Sequence, residues 1–165
     1  MENKKREQIL ALLEKDARLD VKEIAVLLGF NENEVKNEIE AMEKERLICG
    51  YHALVNWDKT DDEKISAIIE LKVTPQRGKG FDNIAEKIYQ YPEVESLYLT
   101  SGAYDFLVIL KKATMKEIAH FVSSKLAVIE DVQSTATHVL LVRYKEFGIN
   151  IAEDVKKDTR MVVTP

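Results

Sequence analysis

The stretch Thr100-Ser101-Gly102-Ala103-Tyr104-Asp105 gathers hydroxyls, a phenol, a carboxylate and a glycine. A carboxylate can pair with an ammonium group, and backbone amides beside a glycine can take a carboxylate. That combination suits a free amino acid or a related zwitterion. The same residues also make an ordinary hairpin, with Gly102 serving only the turn and Asp105 solvated, and the residues alone leave both readings open. A second group lies upstream, where Asn31, Asn33, Lys36 and Asn37 fall within one helical stretch. Asparagine suits the edge of adenine, and lysine reaches guanine or a phosphate.

Catalytic chemistry does not assemble. His52, His120 and His138 fall in three different elements with no pair at metal-ligand spacing, and Cys49 is the only cysteine. Ser101 lacks the Gly-x-Ser-x-Gly surround of a nucleophile elbow. Arg77-Gly78-Lys79-Gly80 lacks the spacing and the Lys-Ser/Thr pair of a phosphate-binding loop. The reading is therefore a non-enzyme, with no catalytic residue, metal or cofactor.

The upstream group needs a helix pair to position it. Asp20 with Glu23 reads as a capping box before Val21, Ile24, Ala25, Leu27 and Leu28, and Gly29 as a left-handed stop. Asn31 with Glu34 repeats the signature, and Val35, Ile39 and Met42 form one apolar stripe. Gly50 is expected to turn the chain out of this second helix. Two capped helices at so tight a corner are a helix-turn-helix or a plain helical hairpin; in the former the second helix enters the major groove of double-stranded DNA. A first helix over residues 4–13, carrying Ile9, Leu10, Leu12 and Leu13, packs across both.

The downstream group needs a sheet. Ile65, Ala67, Ile69, Leu71 and Val73 alternate as a strand, followed by a helix presenting Phe81, Ile84, Ala85, Ile88 and Tyr91. Strands are expected over 93–100 and 104–111, joined by a hairpin at 101–103. A helix over 114–126 and a strand over 132–144 complete the order β-α-β-β-α-β, the ferredoxin-like unit. The fold class is thus α+β. A three-helix helix-turn-helix domain spans 1–50, a linker with a strand 51–64, the ferredoxin-like domain 65–144 and a tail 145–165, in which Met161-Val162-Val163 suggests an edge strand. Phe106-Leu107-Val108-Ile109-Leu110 is apolar on both faces, so the sheet needs a second cover. A second copy of the chain supplies it, and a homodimer is expected.

Net charge is −5, and residues 1–50 carry nine basic against twelve acidic side chains, −3. Glu32, Glu34, Glu38 and Glu40 crowd the first half of the second helix of the pair, against the basic footprint that phosphate contacts with DNA would require there. Lys4, Lys5, Arg6, Arg18, Lys22 and Lys36 are left to form a positive rim. No apolar run is long enough for a bilayer, and the polar start MENKKREQ is unlike a signal peptide, so a cytoplasmic location without membrane contact is expected.

These features together resemble the Lrp/AsnC (feast/famine) family over nearly the whole chain. Met42-Glu43-Lys44-Glu45-Arg46-Leu47-Ile48-Cys49-Gly50-Tyr51 is similar to the family run Leu-Glu-x-x-Gly-x-Ile-x-Gly-Tyr, with Arg46 in the usual glycine position. Gly102-Ala103-Tyr104-Asp105 matches its Gly-x-Tyr-Asp hairpin. The resemblance implies a transcriptional regulator that senses an amino acid, in dimers that assemble into octamers with effectors bound where dimers meet. It implies effector contacts at Gly102, Tyr104 and Asp105, with Thr100, Ser101, Thr135 and Thr137 beside them. It implies DNA contacts at Asn31, Asn33, Lys36 and Asn37, and Lys22 adds to the rim. Glu38 stands where many members carry arginine. The alternative is a metabolite-sensing assembly protein with weak or lost DNA binding.

Overall fold

A computed structural model describes residues 2–60, 64–75 and 80–152. The chain separates into two compact units, Met1–Val55 and Asn56–Pro165.

The first unit holds α1 (Glu2–Lys15), α2 (Val21–Leu28) and α3 (Glu32–Lys44). Asp20 and Glu23 form the expected reciprocal capping box, and Gly29 ends α2 at φ 68°. Ile9, Leu13, Ile24, Ala25, Val35 and Met42 make the core, with Ile39 and Ile48 against it. Leu27, expected on the buried face, is instead 61 % exposed beside Val26. In an eight-residue helix the buried stripe is only wide enough for Ile24 and Ala25, with Leu28 half-buried.

Two further expectations change here. Asn31 caps α3 by accepting from the Asn33 amide at 2.9 Å, and Glu34 does not complete a capping box because its carboxylate pairs with Lys5. The turn out of α3 is made by Arg46 at φ 58°, not by Gly50. The amides of Leu47 and Ile48 then both reach back to the Met42 carbonyl, at 2.8 and 3.1 Å, closing the helix end.

The linker strand does not form. Residues 51–56 are irregular and Trp57–Lys59 is a 3-10 turn, because no described segment pairs with this stretch to complete a ladder.

In the second unit, β1 (Ile65–Val73), β2 (Val94–Leu99), β3 (Phe106–Ala113) and β4 (Val132–Val139) form one antiparallel sheet in the order β2-β3-β1-β4. Helices α4 (Asp82–Tyr89) and α5 (Met115–Phe121) lie on one face. Beneath them Ala67, Ile69, Leu71, Val73, Phe106, Val108 and Leu110 are buried with Ile84, Ile88, Ile118 and Phe121. Edge-to-face ring pairs join Phe81, at the head of α4, to Phe106 on β3 at 5.9 Å, and Tyr91, just past α4, to Phe121 of α5 at 5.6 Å. This is the expected ferredoxin-like order. Past α5 the helix widens to a π-turn at Val122–Leu126, where the hydroxyls of Ser123 and Ser124 both donate to the His120 carbonyl.

β4 and, slightly, β2 are shorter than expected, and β3 is shifted along the chain. β4 stops at Val139, since its last partner is the Ser66 carbonyl, which takes the Leu140 amide at 3.0 Å just before β1 itself ends. The tail is not featureless: β5 (Lys145–Glu146) and β6 (Ile149–Asn150) form a small hairpin around Phe147 and Gly148, both at positive φ. Met161-Val162-Val163 lies outside the described residues. β3 begins at Phe106, leaving Tyr104 and Asp105 in the connection from β2.

The sheet's other face carries Ile68, Glu70 and Lys72 from β1 and Leu107 and Ile109 from β3, with Tyr98 51 % exposed on β2. No described helix covers it.

Candidate functional site

The connection from β2 to β3 is held shut by its own side chains. The Thr100 hydroxyl donates to the carbonyl of Tyr104 at 3.0 Å, and the Thr100 amide donates to that of Asp105 at 2.8 Å. Asp105 docks the loop on β1: its amide donates to the Leu71 carbonyl at 2.9 Å, and its Oδ2 accepts from the Val73 amide at 2.9 Å. Lys72 Nζ lies 3.2 Å from Asp105 Oδ1. The Val73 amide, followed by the Lys72 ammonium, holds the Asp105 carboxyl below its ordinary value of 3.8. Asp105 is therefore not a solvated strand residue. It latches the loop to the end of β1.

The latched loop walls a cavity of about 190 Å³, lined by Glu70, Lys72, Ala103, Tyr104, Ser134, Thr135 and Ala136. The expected effector residues divide around it. Tyr104 and Thr135 line it; Thr100 and Asp105 hold its wall; Ser101 and Gly102 are exposed on the connection. A side chain added at Gly102 would meet nothing within 4 Å, so packing does not demand glycine there. Thr137 pairs with Ile69, on the helix side of the sheet, and is not among the lining residues. The sequence reading missed Glu70 and Lys72. The signal was present, since two opposite charges interrupt the apolar alternation of β1 on one face.

In the first unit, α3 sorts its side chains into three stripes. Val35, Ile39 and Met42 face the core. Glu34 and Glu38 face α1, where Lys5 pairs with Glu34 and Arg6 Nε lies 2.7 Å from Glu38 Oε2. Asn33, Lys36, Asn37 and Glu40 form the exposed stripe. On it, Lys36 Nζ stands 3.8 Å from Glu40 Oε1, both well exposed. Asn31 is spent on the cap, and Lys22 is exposed on α2. The expected rim loses Lys5 and Arg6 to these pairs and Arg18 to Asp16 at 3.1 Å. Two of the four glutamates that argued against a nucleic-acid surface are thus neutralised away from it.

Residues 66–149 match the family model described as the Lrp/AsnC ligand binding domain. The HTH-type transcriptional regulator YugG of Bacillus subtilis is 44 % identical over 162 residues, which is 98 % of this chain and 97 % of that protein. The HTH-type transcriptional regulator PF1231 of Pyrococcus furiosus is 33 % identical, over 81 % of this chain and 87 % of its own length. Among solved structures, E. coli AsnC aligns at a TM-score of 0.65 and 21 % identity, covering 87 % of this chain and 94 % of AsnC. The L-Met complex of the regulator NMB0573 from Neisseria meningitidis aligns at 0.69 and 21 % identity, covering 87 % and 92 %.

Proposed function

The chain belongs to the Lrp/AsnC family of transcriptional regulators, and we propose that it binds specific DNA sequences as a homo-oligomer that responds to a free amino acid or a related small metabolite. The observation that carries this reading is the sorting of α3, which leaves Asn33, Lys36 and Asn37 on an exposed stripe while Glu34 and Glu38 are taken up by α1. Asn33 and Asn37 read base edges, Lys36 and Lys22 meet phosphate or guanine, and Asn31 sets the helix end that approaches the backbone.

On the sensing side the cavity lined by Tyr104 and Thr135 is the effector site, with Thr100 and Asp105 holding its wall and Ser101 and Gly102 on the connection beside it, while Thr137, on the helix side of the sheet, lies outside it. The L-Met bound to NMB0573 supports an amino acid as the effector class. The sheet face with Ile68, Leu107 and Ile109 meets its counterpart in a second copy, and the dimers assemble further. The cell compartment that holds the genome, the cytoplasm, is its place of work.

Glu32 and Glu40 remain on or beside the exposed stripe, and they favour a second reading: a metabolite-sensing assembly protein that has lost its DNA. Selection of genomic fragments by the purified protein at moderate salt, with and without pooled amino acids, separates the two. Enrichment of a defined site that amino acids alter establishes the regulator. No enrichment in either condition leaves the assembly protein.

A further inference from the structure

We propose that Glu40 selects the base it faces, its carboxylate accepting from the exocyclic amine of a cytosine in the major groove and turning away bases that offer only acceptors there. This rests on the DNA-binding reading of α3. Asn33, Lys36, Asn37 and Glu40 are exposed at i, i+3, i+4 and i+7, a spacing that makes one row along a helix. At about 3.6 residues per turn, Glu40 falls between Lys36 and Asn37 around the axis, on the side away from Val35, Ile39 and Met42. Lys36 stands at the edge of the row, where a phosphate is met, and Glu40 near its middle, where base edges lie. From Asn33 to Glu40 the rise is roughly 10 Å, or about three base steps. Glu40 faces the last of them.

The neighbouring carboxylates are used elsewhere. Glu34 and Glu38 turn to Lys5 and Arg6 on α1, and Glu43 accepts from the Tyr51 hydroxyl at 2.8 Å. Glu40 is met within the row by Lys36, 3.8 Å away, and both side chains are 62 % exposed. Lysine four residues before glutamate is the weaker orientation of a helical ion pair, and exposure screens it further. Such a contact steadies Glu40 and gives way to a better donor.

A carboxylate accepts hydrogen bonds and does not donate them. In the major groove cytosine presents an amine, guanine presents N7 and O6, and thymine presents O4 beside a methyl group; adenine sets its amine next to the acceptor N7. Cytosine therefore matches Glu40, adenine matches it by half, and guanine and thymine oppose it. The same charge repels phosphate, so a duplex without the matching base gains less from this helix than from a neutral one. The residue that weakens general attraction to DNA thus confines the protein to particular sequences.

Selection from a random duplex library by the full-length protein at moderate salt, followed by titration of selected and scrambled duplexes, tests this for wild type, Glu40→Ala and Glu40→Gln. The side chain is exposed, and glutamine keeps its shape. Wild type is expected to require cytosine at one position, with other bases there bound about tenfold or more weakly. Glu40→Ala accepts any base at that position and binds scrambled duplex more tightly. Glu40→Gln, which both donates and accepts, moves the preference to adenine. A gain by Glu40→Ala on all sequences alike, with the selected motif unchanged, overturns the proposal and leaves Glu40 a repulsive charge. A motif and affinities that neither variant alters also overturn it, with the DNA-binding reading intact. A wild type that selects no sequence overturns that reading and this assignment together.

Discussion

Arg6 Nε lies 2.7 Å from Glu38 Oε2, and its Nη1 lies 2.8 Å from Glu45 Oε2, so one guanidinium ties α1 to both the middle and the end of α3. Hydrogen bonds from Glu45, and then Glu38, raise the Arg6 pKa further above its already basic range. Glu38 is therefore a packing element of the helix pair. Glu38→Gln is expected to leave DNA affinity unchanged, where a glutamate facing phosphate would give tighter binding on neutralisation. Arg6→Ala is expected to lower the Tm of the first unit, read by circular dichroism, as two carboxylates lose their shared partner.

Arg46 holds φ 58° on an exposed turn, the left-handed conformation that costs a side-chain-bearing residue about 1–2 kcal/mol. Glycine relieves that strain and gives back part of it through a freer unfolded chain. Arg46→Gly is expected to stabilise the first unit by about 0.5–1 kcal/mol. Chemical denaturation, with an unchanged denaturant slope, checks it.

Lys36 and Asn37 stand side by side on the exposed stripe of α3 and are predicted to act differently. Lys36→Ala should weaken binding to all sequences and reduce the salt slope by about one, as expected for one lost phosphate contact. Asn37→Ala should cost about 1–3 kcal/mol at its preferred site and little elsewhere. Titrations on specific and scrambled duplexes at several salt concentrations distinguish the two.

The Asp105 latch carries a pH signature. Its folded pKa lies below the ordinary value of 3.8, so its contribution to stability is fully present above that value and is lost as pH falls through the folded one. Asp105→Asn keeps the shape and removes the charge. Wild type should exceed the variant in stability above ~pH 5, with the difference closing as pH is lowered through the acid range. Denaturant unfolding at a series of acid pH values measures this.

Much of the fold was legible because it rests on period. The alternation of β1 and the stripe Val35, Ile39, Met42 need no knowledge of partners. The capping box at Asp20 and the stop at Gly29 are local signals, and both formed. What failed depended on neighbours. The linker strand had the composition but no ladder to join, and β4 ran out of β1 to pair with. Glu34 looked like half of a capping box until Lys5, twenty-nine residues away, took it. The site divides in the same way. Thr100 and Asp105 drew notice for their chemistry, yet the Thr100 hydroxyl and Asp105 Oδ2 are turned to neighbouring backbone and Asp105 Oδ1 to Lys72, a use that sequence spacing does not reveal. Glu70 and Lys72 were passed over because charged residues on one face of a strand look like ordinary solvent contacts until Tyr104 and Ala136 stand around them.

The two cores described above differ in more than composition. One is assembled from short side chains of three helices, Ile9, Leu13, Ile24, Ala25, Val35 and Met42; the other has a four-stranded sheet with Phe106 and Phe121 inside. A unit of fifty-five residues with so small an interior lies near the lower limit for independent stability. Scanning calorimetry should show the helical unit melting first, in a separate transition. Warming would then dismantle the molecule in stages, with the paired helices α2 and α3 lost while the sheet and the cavity beside Tyr104 persist.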